Sequence, residues 1–223
     1  MKIVFEFTKT GKMIYISHLD ITRLFLRVLR MAGLKPVYSQ GFNPHPKMSM
    51  ALPLSLGLNS LCELLEFETE NEDSIAVAVE NINEKLPEGI RVTSWWKKPD
   101  YISKSLASFV SAAVYEFMCD GIGNAPELLA DFFARESIIV KKRNTEIEKE
   151  IRPEMLDYRI IKNMRGRMLA EATLSAMPGK TLNPVTFFEA FCSRSGIDTA
   201  SHAPVITRTA ILNASGKPLT EVL

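Results

Sequence analysis

Residues 15–47 have the sequence YISHLDITRLFLRVLRMAGLKPVYSQGFNPHPK, which combines a capped helix, a short extended run and a loop containing two prolines. Ser17 followed by Asp20 forms a capping box at the start of the helix. Apolar residues then recur at three- and four-residue steps until Gly33, which supplies the stop. The pattern predicts an amphipathic helix over 18–32, followed by a short extended run and then a loop.

One face of this helix is basic. At about 100° per residue, Arg23, Arg27 and Arg30 fall within roughly 60° of one another, on the side away from the apolar stripe. We call these three residues the arginine ridge. A solvated outer face explains many such runs, because arginine is a good helix former. The alternative is a surface that binds anions.

The loop SQGFNPHP at residues 39–46, the polar loop, is stiff and rich in polar side chains. Asn43 and His45 each precede a proline and therefore favour extended dihedrals, while Gly41 permits a turn closed to other residues. A stiff loop has little entropy left to lose on binding. It is either a recognition loop or a rigid connector. The candidate recognition residues are Gln40, Asn43, His45 and Lys47.

The runs ISHLDITRLFLRVLRMAGL (16–34) and YSQGFNPHPKMSMALPLSLG (38–57) resemble the bacterial radical-SAM-linked protein family. Weaker similarities occur in IRP at 151–153 and ITRT at 206–209. The family domain occurs alone or attached behind a radical SAM enzyme. The resemblance therefore implies a radical SAM enzyme as partner, but it implies no reaction.

The composition, 46% hydrophobic and 24% charged over 223 residues, is that of a globular protein with one large or two small domains. No apolar run approaches the roughly 20 residues that span a bilayer. The opening MKIVFEFTKTGK alternates like a strand instead of forming a signal-peptide core. We therefore expect a cytoplasmic protein with no membrane partner.

The three cysteines, Cys62, Cys119 and Cys192, are far apart and lie among apolar neighbours, so we expect buried, reduced thiols. Their spacing fits neither a disulfide framework nor a zinc motif. Radical SAM enzymes hold an iron–sulfur cluster with closely spaced cysteines, typically CxxxCxxC, which this sequence lacks. We expect an accessory protein without a cofactor, in preference to an enzyme.

The net charge of +1 conceals an uneven distribution. Residues 1–58 contain eight lysines and arginines against two acids, whereas residues 59–104 contain five against ten. A second basic region, residues 139–167, contains nine against five, and its NMRGR run predicts a hairpin tip. A solvent-facing hairpin that protects a sheet edge accounts for this second region. The first region coincides with the arginine ridge and the polar loop.

Strand and helix patterns alternate in the order βαββαβ, starting with the strand KIVFEFT at 2–8. After the capped helix, the first half has extended runs at residues 35–39, 48–52 and 63–69. A helical run at 75–86 and a closing extended run at 90–96 follow. The second half repeats this plan with an extra strand or hairpin. We predict an α+β protein of two tandem ferredoxin-like domains with antiparallel sheets, 1–98 and 110–223, joined by a linker at 99–109.

The candidates for catalysis are the histidines and the polar residues at the helix start. His18 and His45 are the candidate bases if the helix and the loop bring them together, but with Asp20 they lack the spacing of a metal site. Ser17, His18 and Asp20 point in different directions at a helix start, which argues against a catalytic triad. His202 is expected to be an ordinary loop residue. Arg208, in a strand suited to burial, needs a partner, for which we expect Asp157 or Glu171.

Anion recognition is the function that the pattern favours. We expect a non-catalytic accessory module that binds RNA, either tRNA or rRNA, or presents a substrate to a radical SAM enzyme. The predicted anion-binding residues are His18, Arg23, Arg27, Arg30, Gln40, Asn43, His45 and Lys47. One alternative is a metal-independent endoribonuclease of the CRISPR repeat-processing type, with His18 or His45 as base. Another is a pure protein-interaction module.

Overall fold

The computed structural model describes residues 1–70, 75–122, 124–141, 147–164, 167–199 and 201–223. Two compact units make up the chain: unit 1, Met1–Val110 with Asn213–Leu223, and unit 2, Ser111–Leu212. Both units are mixed α+β, with antiparallel strands and two helices within the described ranges. The predicted NMRGR tip includes residues 165–166, which lie outside these ranges, as do the basic residues Lys142 and Arg143.

Unit 1 follows the predicted order of elements. Its strands and helices are β1 (Lys2–Lys9), α1 (His18–Met31), β2 (Met48–Met50), β3 (Asn59–Glu68), α2 (Ile75–Lys85) and β4 (Ile90–Lys97). Strand β1 pairs antiparallel with β3 and β4, so Phe5 lies opposite Leu65 on one side and Trp95 on the other. Strand β2 pairs antiparallel with β3, with Met50 opposite Leu65.

The predicted extended run at 35–39 does not become a strand. Only two isolated bridges form there, Pro36 with Thr69 and Tyr38 with Pro46. The physical reason is that Pro36 and Pro46 lie at these bridges. Proline has no N–H to donate, so a ladder of hydrogen bonds cannot extend through it.

The core of unit 1 lies between the sheet and its two helices. Alternate residues of β1 face the helices, and Phe5 packs against Phe67 of β3 with ring centroids 4.9 Å apart. Phe7 packs against Phe25 of α1 at 4.7 Å. Alternate residues of β1 and helically spaced residues of α1 thus lie in the same core.

The predicted bounds of α1 are confirmed. The hydroxyl of Ser17 accepts from the backbone N–H of Asp20 at 3.1 Å, which satisfies one unpaired donor at the helix start. At the other end, Gly33 adopts a φ of +84°, and the N–H of Leu34 donates to the carbonyl of Leu29 at 3.0 Å. The left-handed glycine turns the chain away and ends the helix.

The segment after β4 folds back onto unit 1. The ammonium of Lys98 donates to Glu66 of β3 at 2.6 Å and to the carbonyl of Lys104 at 2.5 Å. The second carboxylate oxygen of Glu66 accepts from the backbone N–H of Leu106 at 2.9 Å. Leu106 and Ile102 are both buried. Residues 99–109, which we expected to act as a linker, therefore belong to the body of unit 1.

Unit 2 contains an antiparallel sheet in the order β10-β5-β9-β8 and a two-stranded ribbon of β6 with β7. Its elements are β5 (Ala112–Asp120), α3 (Ala125–Ala134), β6 (Ile139–Lys141), β7 (Glu148–Glu150), β8 (Met155–Met164), β9 (Arg167–Ser175), α4 (Pro184–Ser195) and β10 (Val205–Leu212). The ribbon is the extra hairpin anticipated from the sequence. Phe187 and Phe188 of α4 pack on Phe117 of β5. Phe132 and Phe133 of α3 pack in turn on Phe187, and Phe132 also packs on Phe191.

The C-terminal residues were expected to belong to the second domain, 110–223, and the structure assigns them differently. Residues 213–223 group with unit 1, and Leu219 among them is buried. The larger apolar residues of this tail, Leu219, Val222 and Leu223, are too few to form a periodic pattern, so the tail could not be assigned to a unit from sequence alone.

The buried side chain of Arg208 in β10 lies against Tyr115 of β5. Its guanidinium donates to the Tyr115 hydroxyl at 3.1 Å and lies 5.5 Å from the ring centroid. The expected partner Glu171 instead pairs with Arg159 across the β8–β9 ladder. The carboxylate of Asp157 accepts from the N–H of Tyr158. Strand register decides this pairing, because Arg208 and Tyr115 are directly opposite each other.

Candidate nucleic-acid interface

The arginine ridge lies on the solvent side of α1. Arg23, Arg27 and Arg30 are all exposed, whereas the buried residues of the helix are Ile21, Phe25, Val28 and Leu29. At 1.5 Å rise per residue, the three guanidinium-bearing positions extend over about 10 Å of the helix axis. The predicted orientation of the ridge is therefore present in the structure.

The three arginines differ in their partners. Arg23 contacts Asp20 at 3.4 Å, and both side chains are more than half exposed, so this ion pair is weak. Arg27 has no polar partner among the residues that the structure describes. Arg30 donates to the hydroxyl of Tyr38, and its guanidinium carbon lies 5.7 Å from the centroid of the Tyr38 ring. The ridge thus keeps most of its charge available to solvent.

Tyr38 connects the ridge to the polar loop. It forms the bridge with Pro46 that closes the loop, and the backbone N–H of Ser39 donates to the carbonyl of His45 at 2.8 Å. One step further out, the N–H of Lys47 donates to the carbonyl of Val37 at 2.9 Å. The loop therefore stands on a hydrogen-bonded stem at the C-terminal end of α1.

Ser39 holds His45 in place. The serine hydroxyl accepts from the backbone N–H of His45 at 3.1 Å and lies 3.1 Å from its Nδ1. Nδ1 is also 3.3 Å from the carbonyl oxygen of Asn43, which can only accept. With the proton on Nδ1, the imidazole satisfies this carbonyl and keeps Nε2 as an acceptor for a ligand.

The tip of the polar loop carries exposed side chains: Gln40, Phe42 and Asn43. Phe42 is fully exposed. The sequence reasoning did not single out Phe42, Tyr38 or Ser39. An aromatic residue between Gly41 and Asn43, where a turn rather than a core element is expected, was the available signal for Phe42.

Lys47 has a different environment from the other predicted recognition residues. Its ammonium lies 3.0 Å from the carboxylate of Glu68, at the end of β3, in a partly exposed pair. The neighbouring carboxylate reduces the attraction of Lys47 for a phosphate. The structure places Lys47 at the stem of the loop, outside its tip.

His18 lies at the opposite end of α1 from the polar loop. It is the first residue of the helix, whereas the loop stem contacts Arg30 in the last turn. Twelve helical steps correspond to about 18 Å along the axis. The contacts of α1 therefore associate His45 with Arg30, and they do not bring His18 and His45 into one catalytic pair.

His202 contributes to the packing of unit 2. Its Nδ1 lies 2.9 Å from the carbonyl oxygen of Asp120, and its ring covers Gly121, where an added Cβ would be 2.5 Å from the imidazole. The backbone of Gly121 has a φ of +88°. The histidine therefore requires a glycine beneath it, which is a structural role.

Three cations of the second basic region, among the residues that the structure describes, pair with carboxylates of unit 2. Lys149 contacts Glu154 at 2.6 Å, Arg159 contacts Glu171, and Arg167 contacts Asp120 at 2.7 Å. The Arg167 guanidinium lowers the pKa of the Asp120 carboxyl, chiefly through their hydrogen bond. These carboxylates offset the basic charge, which fits the solvent-facing hairpin interpretation better than a polyanion site.

The three cysteines are buried, and none of them forms a disulfide. Burial is the main cause that raises the pKa of Cys192, to about 12, and burial also raises the pKa of Cys119. Within the described part of the chain, no group of three or more metal-binding side chains occurs. Among the described residues, no helix combines the length and apolar character needed to cross a membrane.

We predict that the native thiols resist modification by Ellman's reagent. The thiolate is the reactive form, and the raised pKa of Cys192 leaves almost none of it at neutral pH. Ellman's reagent should therefore modify all 3 cysteines in denaturant but none rapidly in the native protein. Rapid stoichiometric modification of the native chain would contradict the burial described above.

Comparison with known proteins places most of the chain in a family. The model of a family described as an uncharacterized protein conserved in bacteria (DUF2344) matches residues 2–184, which include α1, the polar loop and all of unit 1 up to Val110. The description names neither an activity nor a radical SAM partner. No curated protein matches the chain.

Proposed function

The chain belongs to this family of uncharacterised proteins conserved in bacteria, and from that premise we propose that it is a non-catalytic RNA-binding module. Its ligand is tRNA or rRNA, and it works in the cytoplasm as an accessory to a radical SAM enzyme. The radical SAM association rests on the resemblance of residues 16–34 and 38–57, and the RNA-binding activity rests on the site.

One observation carries the RNA-binding proposal: the exposed arginine ridge is joined to the stem of the polar loop through Arg30 and Tyr38. Cations that span about 10 Å of helix can contact more than one phosphate of a strand, because one strand of a B-form duplex carries a charge about every 3.4 Å along its axis. The loop adds the amides of Gln40 and Asn43 and the ring of His45. Phosphate contacts supply affinity and the polar loop supplies selectivity.

We further infer that both units are ferredoxin-like. Unit 1 has the strand order β4-β1-β3-β2 and unit 2 has β10-β5-β9-β8, each with two helices. Each order places the first strand between the last and the third, as in a split βαβ arrangement. This inference concerns architecture alone, since a fold does not specify an activity.

The proposal is tested by replacing Arg23, Arg27 and Arg30 together with glutamine. Glutamine preserves helix propensity, so the variant should keep its stability. If each arginine neutralises one phosphate, the slope of log K against log salt should shrink by about 0.7 per contact, or roughly two units in total. At 0.1 M salt this corresponds to an affinity loss of roughly 100-fold, measured by fluorescence anisotropy with single-stranded RNA.

A matched control removes three other cations from unit 1. Lys85, Arg91 and Lys97 are exposed on α2 and β4, and their replacement with glutamine changes the net charge equally. This control should bind RNA with nearly the wild-type salt slope. If both triple variants bind alike, the ridge is an ordinary solvated face and the RNA proposal fails. Capture of a radical SAM enzyme without RNA would instead favour the protein-interaction alternative.

A further inference from the structure

The polar loop exposes one aromatic ring at its tip. Phe42 is fully exposed, whereas the other phenylalanines of the chain are buried or half-buried. A single exposed apolar side chain is common on protein surfaces and does not by itself indicate a function. Its position and its neighbours are what make Phe42 informative.

The loop presents Phe42 on a braced backbone. The residue before it, Gly41, has a φ of +121°, a conformation that other residues rarely adopt. Below the tip, Ser39 and His45 exchange backbone and side-chain hydrogen bonds at 2.8 to 3.1 Å. Proline follows both Asn43 and His45 and limits their dihedrals. The backbone around Phe42 therefore loses little conformational entropy when a ligand covers the ring.

The neighbours of Phe42 combine hydrogen-bonding and cationic groups. The amides of Gln40 and Asn43 flank the ring in sequence and are exposed. The stem of the same loop contacts Arg30 of the arginine ridge through Tyr38. An exposed aromatic face beside amides and cations is the combination with which proteins bind unpaired nucleotides.

We propose that Phe42 is a stacking platform for an unpaired base of a single-stranded RNA segment, while the arginine ridge binds the neighbouring phosphates. This inference rests on the proposed RNA-binding function and specifies its ligand. Gln40 and Asn43 then contact the edge of the stacked base. The alternative of insertion into lipid would bury both amides without partners, which is unfavourable, whereas a base provides donors and acceptors for them.

The test compares a single-stranded RNA oligonucleotide with an RNA duplex of the same sequence. The single strand carries a fluorescent adenine analogue whose emission is quenched by stacking. Binding is measured for the full-length wild type and for Phe42→Ala, Phe42→Leu and Phe42→Tyr. Because the side chain is fully exposed, all three variants should fold.

We expect Phe42→Ala to weaken single-strand binding by about 5- to 150-fold with an unchanged salt slope, and to abolish quenching. Duplex binding should not change. Phe42→Tyr should retain affinity and quenching, because its ring stacks equally well. Phe42→Leu should resemble Phe42→Ala, since it keeps apolar surface but has no ring.

Wild-type affinity and quenching in Phe42→Ala, together with weaker binding by the arginine-ridge variant, would overturn stacking and leave the proposed function intact. Wild-type affinity in Phe42→Leu would likewise overturn stacking in favour of a simple apolar anchor. If the wild type binds neither oligonucleotide, the proposed function and this inference both fail. If the wild-type protein binds anionic lipid vesicles through Phe42 and binds no RNA, the proposed function and this inference also both fail.

Discussion

Replacement of Lys98 with methionine is expected to destabilise unit 1 by about 3–5 kcal/mol, because it removes one partner of a buried ion pair. The side chain of Lys98 is 0% exposed and that of Glu66 is 11% exposed, with 2.6 Å between Nζ and Oε1. Without the ammonium, the Glu66 carboxylate keeps only its hydrogen bond from the N–H of Leu106. The carbonyl of Lys104 also loses its donor.

The loss can be followed by urea unfolding with tryptophan fluorescence, since both tryptophans, Trp95 and Trp96, lie in β4 of unit 1. The matched control is Lys47→Met. Its partner, Glu68, is two residues from Glu66 on the same strand, but the Lys47–Glu68 pair is partly exposed and should contribute at most about 1 kcal/mol. Equal losses in the two variants would contradict the burial of the Lys98 pair.

A double variant separates the lost attraction from the cost of a buried charge. Glu66→Gln combined with Lys98→Met removes both charges and keeps a carbonyl oxygen for the N–H of Leu106. The double variant should therefore be more stable than Lys98→Met alone, even though it replaces a second native residue. If the double variant is less stable than Lys98→Met, the broken ion pair is not the main cause of the stability loss in Lys98→Met.

Gly89→Ala should produce the second large loss, at least about 3 kcal/mol. Gly89 has a φ of +96°, which costs a non-glycine residue about 1–3 kcal/mol. In addition, the new Cβ would lie 2.3 Å from the carbonyl oxygen of Thr10, a backbone atom that cannot rotate away. Relief of this clash would disrupt the hydrogen bond from the N–H of Thr10 to the carbonyl of Gly89, at 2.8 Å.

Gly57→Ala is the control for the backbone conformation alone. Its φ of +81° is similarly left-handed, but an added Cβ would meet no atom within 4 Å. We expect a loss of about 1–2 kcal/mol for this variant, measured by the same urea titration. The excess loss in Gly89→Ala reports the contact with Thr10. If the two glycine variants lose the same stability, the close approach of Thr10 and Gly89 is incorrect.

Local sequence signals determined α1 and the orientation of its arginine ridge. A capping box, a left-handed glycine and helical periodicity act within a few residues, so their effects can be deduced without knowing the rest of the fold. The order of strands and helices in unit 1 followed from alternation patterns for the same reason. The positive φ of Gly41 in the polar loop likewise follows from the residue itself.

Contacts between distant residues were decided only by the tertiary structure. Lys98 and Glu66 are 32 residues apart, and Arg208 and Tyr115 are 93 apart, so no local pattern could pair them. Residues 99–109 were expected to be a linker because of their polar composition. That composition does not reveal the hydrogen bond that Glu66 accepts from the backbone N–H of Leu106. Sheet register and burial set these partners.

The candidate site depended on both levels. Its side chains were identified in the sequence through Arg23, Arg27, Arg30 and the polar loop, because residue type and spacing carry that information. The tertiary structure decided which of them are neighbours: the stem at Tyr38 brings the loop to Arg30 and leaves His18 at the far end of α1. The exposure of Phe42 also required the structure, since whether an aromatic ring is buried depends on what the folded chain places over it.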